Sequence, residues 1–232
     1  METPAGQSSR YRLAQLDDYS GLRRRDFRWN PPATLSLRAR VSDGYIPGTW
    51  GFGFWNDPFS FALGLGGMAQ AFPVLPNAAW FFFASPDNLL SFRNDKPSNG
   101  FLAVAFNSPR KSPILLAPEL ALFPLLAIHS WAKRIREKLS RIIGEESIQL
   151  SVDVTQWNYY RLNWKTDQVE FSINSVPILI SPISPTGPLG LVIWIDNQFA
   201  SFKPSGELKT GVLKSSTPAW MEIEELEIRN EE

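Results

Sequence analysis

Cysteine is absent from this chain, so disulfides and thiolate metal sites are excluded, while the redox compartment stays open. Histidine occurs once, at His129. Multi-histidine zinc and non-haem iron sites therefore drop out, and a serine triad would have one candidate base, which packing on an apolar stretch explains more simply. Neither charge sign is in excess, with 23 Lys+Arg against 23 Asp+Glu, so no general field draws nucleic acid. The local cluster Leu22-Arg-Arg-Arg-Asp-Phe-Arg28 is too short to track a phosphate backbone and reads as a solvated loop. No apolar run reaches transmembrane length, and the polar Met1 to Arg12 stretch lacks the apolar centre of a secretory signal, so the expectation is a cytoplasmic protein. Gly64-Leu-Gly-Gly-Met68 lacks the Lys-Ser/Thr ending of a phosphate loop and reads as a loop or lid.

What the chain does have is alternation. In Gly48-Thr-Trp-Gly-Phe-Gly-Phe-Trp-Asn56, period two sends Trp50, Phe52 and Phe54 to one face and Gly51, Gly53, Trp55 and Asp57 to the other. The first face is bulky enough for a sheet-on-sheet core. The second is hollowed by its glycines, which either relieve crowding at a bend or let something approach the sheet. Thr34–Val41 alternates in the same way, and further strands are predicted at 79–85, 101–107, 148–153, 159–165, 169–173, 190–196 and 221–228. Tyr11 to Tyr19 is an extended lead-in. Many short strands between turn residues indicate a sandwich or barrel. A length of 232 residues suits one such domain, 1–232.

Residues 113–146 interrupt the pattern as a helical insertion. Trp131, Ile135, Leu139 and Ile142 recur at helical spacing, with Lys133, Arg134, Arg136, Lys138 and Arg141 around the rest of the circumference. The preceding Ile114 to Ile128 run is apolar but broken by Pro118 and Pro124, which favours short helical turns. Folding back on the sandwich with the basic residues in water is the plain expectation. A membrane surface and a homodimer contact are the alternatives.

The series Leu35-Ser-Leu-Arg-Ala-Arg40, Gly48-Thr-Trp50, Phe54-Trp55, Tyr160-Arg-Leu-Asn-Trp164, Val169-Glu-Phe-Ser-Ile173 and Met221-Glu-Ile-Glu224 resembles the strands of concanavalin A-like jelly rolls. The nearest echo is the laminarinase and lichenase type of family sixteen glycoside hydrolases. The resemblance implies an all-β, two-sheet antiparallel jelly-roll sandwich. Leu16-Asp-Asp-Tyr19, Trp50 to Pro58 and Trp194-Ile-Asp-Asn-Gln198 are also similar to a bacterial family, a likeness that adds no chemistry. The hydrolases carry Glu-x-Asp-x-Glu or Glu-x-Asp-x-x-Glu on the strand after the Trp-rich one. Here that strand reads Trp80-Phe-Phe-Phe-Ala84, so no inherited nucleophile is present and catalysis is not expected. Asp57 and Asp196 are the weak candidates for a displaced pair in a hydrolase-like enzyme. Glu222, Glu224, Glu225 and Glu227 read as edge-strand charges. Glu224 matches a position that the resemblance links to structural calcium, which leaves calcium as a weak cofactor option and no other cofactor in view.

The reading that follows is a binding protein for a glycan or another amphipathic small molecule. Aromatic rings would stack on the ligand while carboxylates and amides orient it. Trp55, Trp80, Asn158, Tyr160, Trp194, Asp196 and Gln198 are the candidate lining residues. The parity of Val192, Trp194, Asp196 and Gln198, and of Asn158 and Tyr160, suggests one concave site.

Overall fold

The computed structural model describes residues 1–8, 10–58, 74–109 and 129–230. The Gly64–Met68 loop and the apolar Ile114–Ile128 run lie outside the described residues.

Two antiparallel six-stranded sheets face each other. The first contains β1 (Glu2–Thr3), β14 (Ala219–Asn230), β3 (Ala33–Val41), β8 (Asn158–Trp164), β9 (Val169–Ile173) and β10 (Val176–Ser181), in that order. The second runs β2 (Leu13–Asp17), β11 (Gly190–Asp196), β4 (Thr49–Trp55), β5 (Ala78–Ala84), β6 (Gly100–Asn107) and β7 (Gly144–Gln149). A small sheet pairs β12 (Gln198–Phe202) with β13 (Leu208–Val212). The helix α1 spans His129–Ile142 and leads directly into β7. The insertion therefore ends before the expected 146, and the strand expected at 148–153 begins earlier, at Gly144.

Period-two alternation builds the core as expected. Leu35, Leu37, Ala39 and Val41 of β3, Tyr160, Leu162 and Trp164 of β8, and Phe171 of β9 meet Trp50, Phe52 and Phe54 of β4 and Phe81 and Phe83 of β5. Ring centroids of 5.0 Å for Phe52–Tyr160 and 5.5 Å for Phe54–Trp164 show how closely the sheets interlock. Large aromatics of this kind supply most of the burial that holds two sheets together.

A second apolar cluster lies on the other side of the second sheet. It comprises Tyr19, Phe27, Trp80, Phe82, Leu102, Val104, Phe106, Ile143, Val192 and Trp194, with Leu139 of α1 and Trp55 packed on it. Every residue of β5 and of β11 is consequently buried. Continuous apolar strands such as Ala78-Ala-Trp-Phe-Phe-Phe-Ala84 are what a sheet covered on both faces requires.

The helix is held by a residue that its charge would assign to the surface. Arg136 is buried, donating from Nε to Phe202 O at 2.9 Å, from Nη1 to Asn94 Oδ1 at 2.8 Å and from Nη2 to Ser91 O at 3.1 Å. Arg136 thus departs from the expectation that every basic residue of the helix faces water. Lys133, Arg134, Lys138 and Arg141 are exposed, as is Trp131.

Candidate functional site

The strand registers arrange the outer face of the second sheet in rows. One row reads Asp17, Val192, Gly53, Trp80, Val104 and Ser147 across β2, β11, β4, β5, β6 and β7. The next reads Gln15, Trp194, Gly51, Phe82, Leu102 and Gln149. The row on the other flank carries Gly190, Trp55, Ala78, Phe106 and Glu145. The centre is therefore aromatic and apolar, and both lateral margins are polar.

Three of the predicted lining residues meet here. Trp55 and Trp194 stack at 6.3 Å with an interplanar angle of 7°, and Trp80 lies 5.8 Å from Trp55 and 5.4 Å from Trp194. Phe82, which sequence reasoning passed over, completes the group at 5.6 Å from Trp194. Its parity with Trp80 was the signal that could have found it. The two strand glycines make room for these rings. A Cβ on Gly51 would lie 2.8 Å from Trp194 Cη2, and one on Gly53 would lie 2.5 Å from Trp80 Cβ. What approaches the sheet closely is the protein's own tryptophan pair.

The two candidate carboxylates occupy opposite ends of this face. Asp196 is level with Thr49 at the start of β4, and Asp57 lies two residues beyond Trp55 at its end. The strand between them alone spans about 20 Å, against roughly 5–9.5 Å for the carboxyl pairs of glycosidases. Asp57 and Asp196 do not form a displaced catalytic pair.

Asp196 is a structural acceptor. Thr49 Oγ1 donates to its Oδ1 at 2.8 Å, backbone N–H groups of Thr49 and Gln198 each reach Oδ1 at 3.2 Å, and Tyr11 Oη contacts Oδ2 at 3.4 Å. Trp194 Nε1 donates in turn to Thr49 Oγ1 at 3.0 Å, so Trp194 and Asp196 share a face as their parity implied. Burial pushes the Asp196 carboxyl up to about 6, with these donors pulling the other way. The Tyr11 hydroxyl is raised as well, by burial and then by the adjacent Asp196.

Asp57 is different. It is 0% exposed and neither carboxylate oxygen has a hydrogen-bond partner. Burial pushes its carboxyl up to about 6, the Arg24 guanidinium opposes this, and Asp17 adds to it. Arg24 itself binds backbone, with Nη2 donating to Asp57 O at 2.6 Å and Nε to Asn56 O at 2.9 Å. Asp17 is held low by hydrogen bonds from Ser20, Gln15 and Tyr19 that outweigh its own desolvation. The indole Nε1 donors of Trp55 and Trp80 and the Ser147 hydroxyl are buried on the same face, also without partners.

The remaining predicted residues lie elsewhere. Tyr160 belongs to the first sheet and points into the inter-sheet core, 2% exposed and edge-on to Phe52 and Phe81. Parity within β8 was read correctly, but the face it selects is the core. Asn158 closes the turn before β8, donating to Asp153 O at 2.8 Å and Gln156 O at 2.9 Å. Gln198 leaves the second sheet and pairs with Val212 in the small one. Glu224 bonds Arg38 across β14 and β3 at 2.7 Å, on the outside of the first sheet. Among the described residues no group of three or more Asp, Glu or His side chains is arranged to hold a metal ion. The Leu22–Arg28 cluster forms a 3-10 turn at Arg24–Asp26 in which Arg23 pairs with Asp26 at 2.7 Å.

No family model and no curated protein sequence matches the chain. Solved structures do match in fold. A structure described with the endo-acting O-glycanases that prominent members of the human gut microbiota express to initiate mucin breakdown has a TM-score of 0.50 and 8% identity, covering 100% of this chain and 79% of that one. The chain has a concanavalin A-like jelly-roll fold. A legume lectin-like domain from Entamoeba histolytica gives a TM-score of 0.48 at 10% identity, with 100% and 84% of the two chains covered. A Bacillus licheniformis β-glucanase gives 0.40 at 7%, and this jelly roll, 91% of it aligned, spans 66% of that protein's length. At such identities the likeness is one of fold, and the function of the jelly roll rests on its own residues.

Proposed function

We propose that the protein is a non-catalytic binding protein that holds a glycan or another amphipathic small ligand on the outer face of its second sheet. One observation carries this reading. Four residues on that face, Trp55, Asp57, Trp80 and Ser147, hold buried polar atoms with no partner, beside an aromatic floor of Trp55, Trp80, Phe82 and Trp194. A buried donor or acceptor left unmade costs about 1–3 kcal/mol, so several on one face favour a ligand that completes them. A hydroxylated ring supplies acceptors for the indole N–H groups, donors for Asp57 and an apolar face for stacking. Trp55 is the partly exposed member of the tryptophan trio, next to the partly exposed Asn56, Arg24 and Gln15.

The test is titration of the full chain with a panel of oligosaccharides, read by tryptophan fluorescence and calorimetry. Binding is expected for at least one glycan class, with Trp55→Ala weakening it about fivefold or more, because stacking on an aromatic contributes about 1 kcal/mol or more. Absence of any saturable binding across the panel would remove the glycan from this reading.

A further inference from the structure

We propose that the Asp57 end of this face receives an ammonium group, which makes the ligand an unacetylated amino sugar. The inference rests on the binding reading above and narrows its ligand class.

Asp57, Asp17 and Arg24 are the charged groups acting at this end, and the Tyr19 hydroxyl is the further titratable group there, pushed up by burial first and then by Asp57 and Asp17. Two carboxylates against one guanidinium leave one negative charge. Arg24 places its donors on the carbonyls of Asn56 and Asp57. The Asp17 oxygens accept from Gln15 Nε2 at 2.9 Å and from Ser20 N at 2.8 Å. The Asp57 carboxylate is therefore the group whose acceptors are unmade, and it is fully buried. A hydroxyl would satisfy an oxygen but leave the charge; an ammonium does both, and an unpaired buried charge is far more costly than an unpaired buried dipole.

The walls suit a cation. Tyr19 packs on Trp55 at 6.0 Å and 65° and on Phe27 at 4.9 Å, so aromatic rings flank the position at which Asp57 acts on the Tyr19 hydroxyl. Ring faces attract an ammonium most strongly where water is excluded. The unpartnered donors of Trp55 and Trp80 ask the same ligand for acceptors, which a purely aliphatic amine lacks. An amine on a hydroxylated ring meets both demands.

Calorimetry on the full chain at pH 5 and pH 7 would compare a fully deacetylated glucosamine hexamer, the N-acetylglucosamine hexamer and cellohexaose. At pH 7 the glucosamine hexamer is expected to bind about tenfold or more tighter than the other two. Asp57→Asn should abolish that advantage at both pH values. Asparagine suits the left-handed backbone of this position, φ 46°, and a thermal melt checks that the variant is folded. The comparison of the three hexamers on the unchanged chain gives a second readout that needs no variant. Equal affinity for the three hexamers, or preference for an uncharged one, would overturn the amine assignment and leave the glycan reading standing. Loss of binding by all three would overturn both.

Discussion

Asp57 is the residue at which burial, charge and backbone conformation conflict most openly. Its ordinary pKa of 3.8 is raised to about 6, so the folded state holds its proton over a range in which the unfolded state has lost it. A group shifted upward in this sense favours folding at low pH, and its contribution falls as pH rises from about 4 to about 6. Two units correspond to about 3 kcal/mol as an upper figure. Asp57→Asn is expected to raise stability at pH 7 by about 1–3 kcal/mol and to flatten that part of the pH profile, as measured by urea denaturation between pH 4 and 7. A less stable variant would mean that the carboxylate has a compensating partner. Asp196 shows the contrast, since its carboxylate accepts from Thr49, Gln198 and Tyr11. Trp194 also departs from a freely replaceable ligand platform. It is 8% exposed, rests over Gly51 and touches three other rings. Trp194→Ala is expected to cost about 3–5 kcal/mol by cavity formation, read as a lowered midpoint in a thermal melt. Gly51→Ala should also destabilise, because its Cβ would come within 2.5 Å of Phe81 O, a backbone atom that side-chain rotation cannot move.

At the scale of elements, α1 is fixed more by one arginine than by its apolar stripe. Two of the three hydrogen bonds of Arg136 reach the loop between β5 and β6 and the third reaches the last residue of β12, and Glu145 of β7 is close enough to raise its pKa against the lowering by desolvation. Arg136→Ala would leave those acceptors without their donor and remove a nearby positive charge from Glu145, which still accepts from Phe92 N at 3.0 Å. A loss of about 3–5 kcal/mol is expected, with amide exchange in α1 accelerated before that of β4 or β5. Exchange unchanged across the helix would show that Ala132 and Leu139 suffice to hold it. Most strands were legible in the sequence: β9 and β11 have the expected bounds, and β3, β4, β5, β6, β8 and β14 are within one or two residues. Those that were missed had weak signals. In β10 a proline follows the first residue, and Val176 and Ile180 remain 61% exposed at the sheet edge, so burial does not impose alternation. The acidic run of β14 behaves as expected for an edge, since β1 covers only Ala219 and Trp220, and its Glu222 pairs with Arg40 at 2.6 Å.

The whole molecule is a three-layer arrangement in cross-section, with the second sheet between the inter-sheet core and the aromatic cluster. The strand β5, Ala78–Ala84, which follows the Trp-rich strand, carries no carboxylate and is buried along its whole length. Reducing-sugar assays on laminarin and lichenan are expected to stay at background. Release of sugar that disappears with Asp57→Asn would instead assign Asp57 a catalytic role with a partner other than Asp196. The sequence by itself determined the all-β class, the face on which Trp50, Phe52 and Phe54 pack, and the helix, because side-chain period and residue chemistry are local properties. Tertiary structure alone decided that Tyr160 faces the core, that Phe82 joins the three tryptophans, that Gln198 leaves the face, and that Asp57 and Asp196 lie a strand's length apart. Period two assigns a side chain to one of two faces of its own strand. Which sheet that strand joins, and which neighbour lies beside it, depends on contacts distant in sequence that no local pattern encodes.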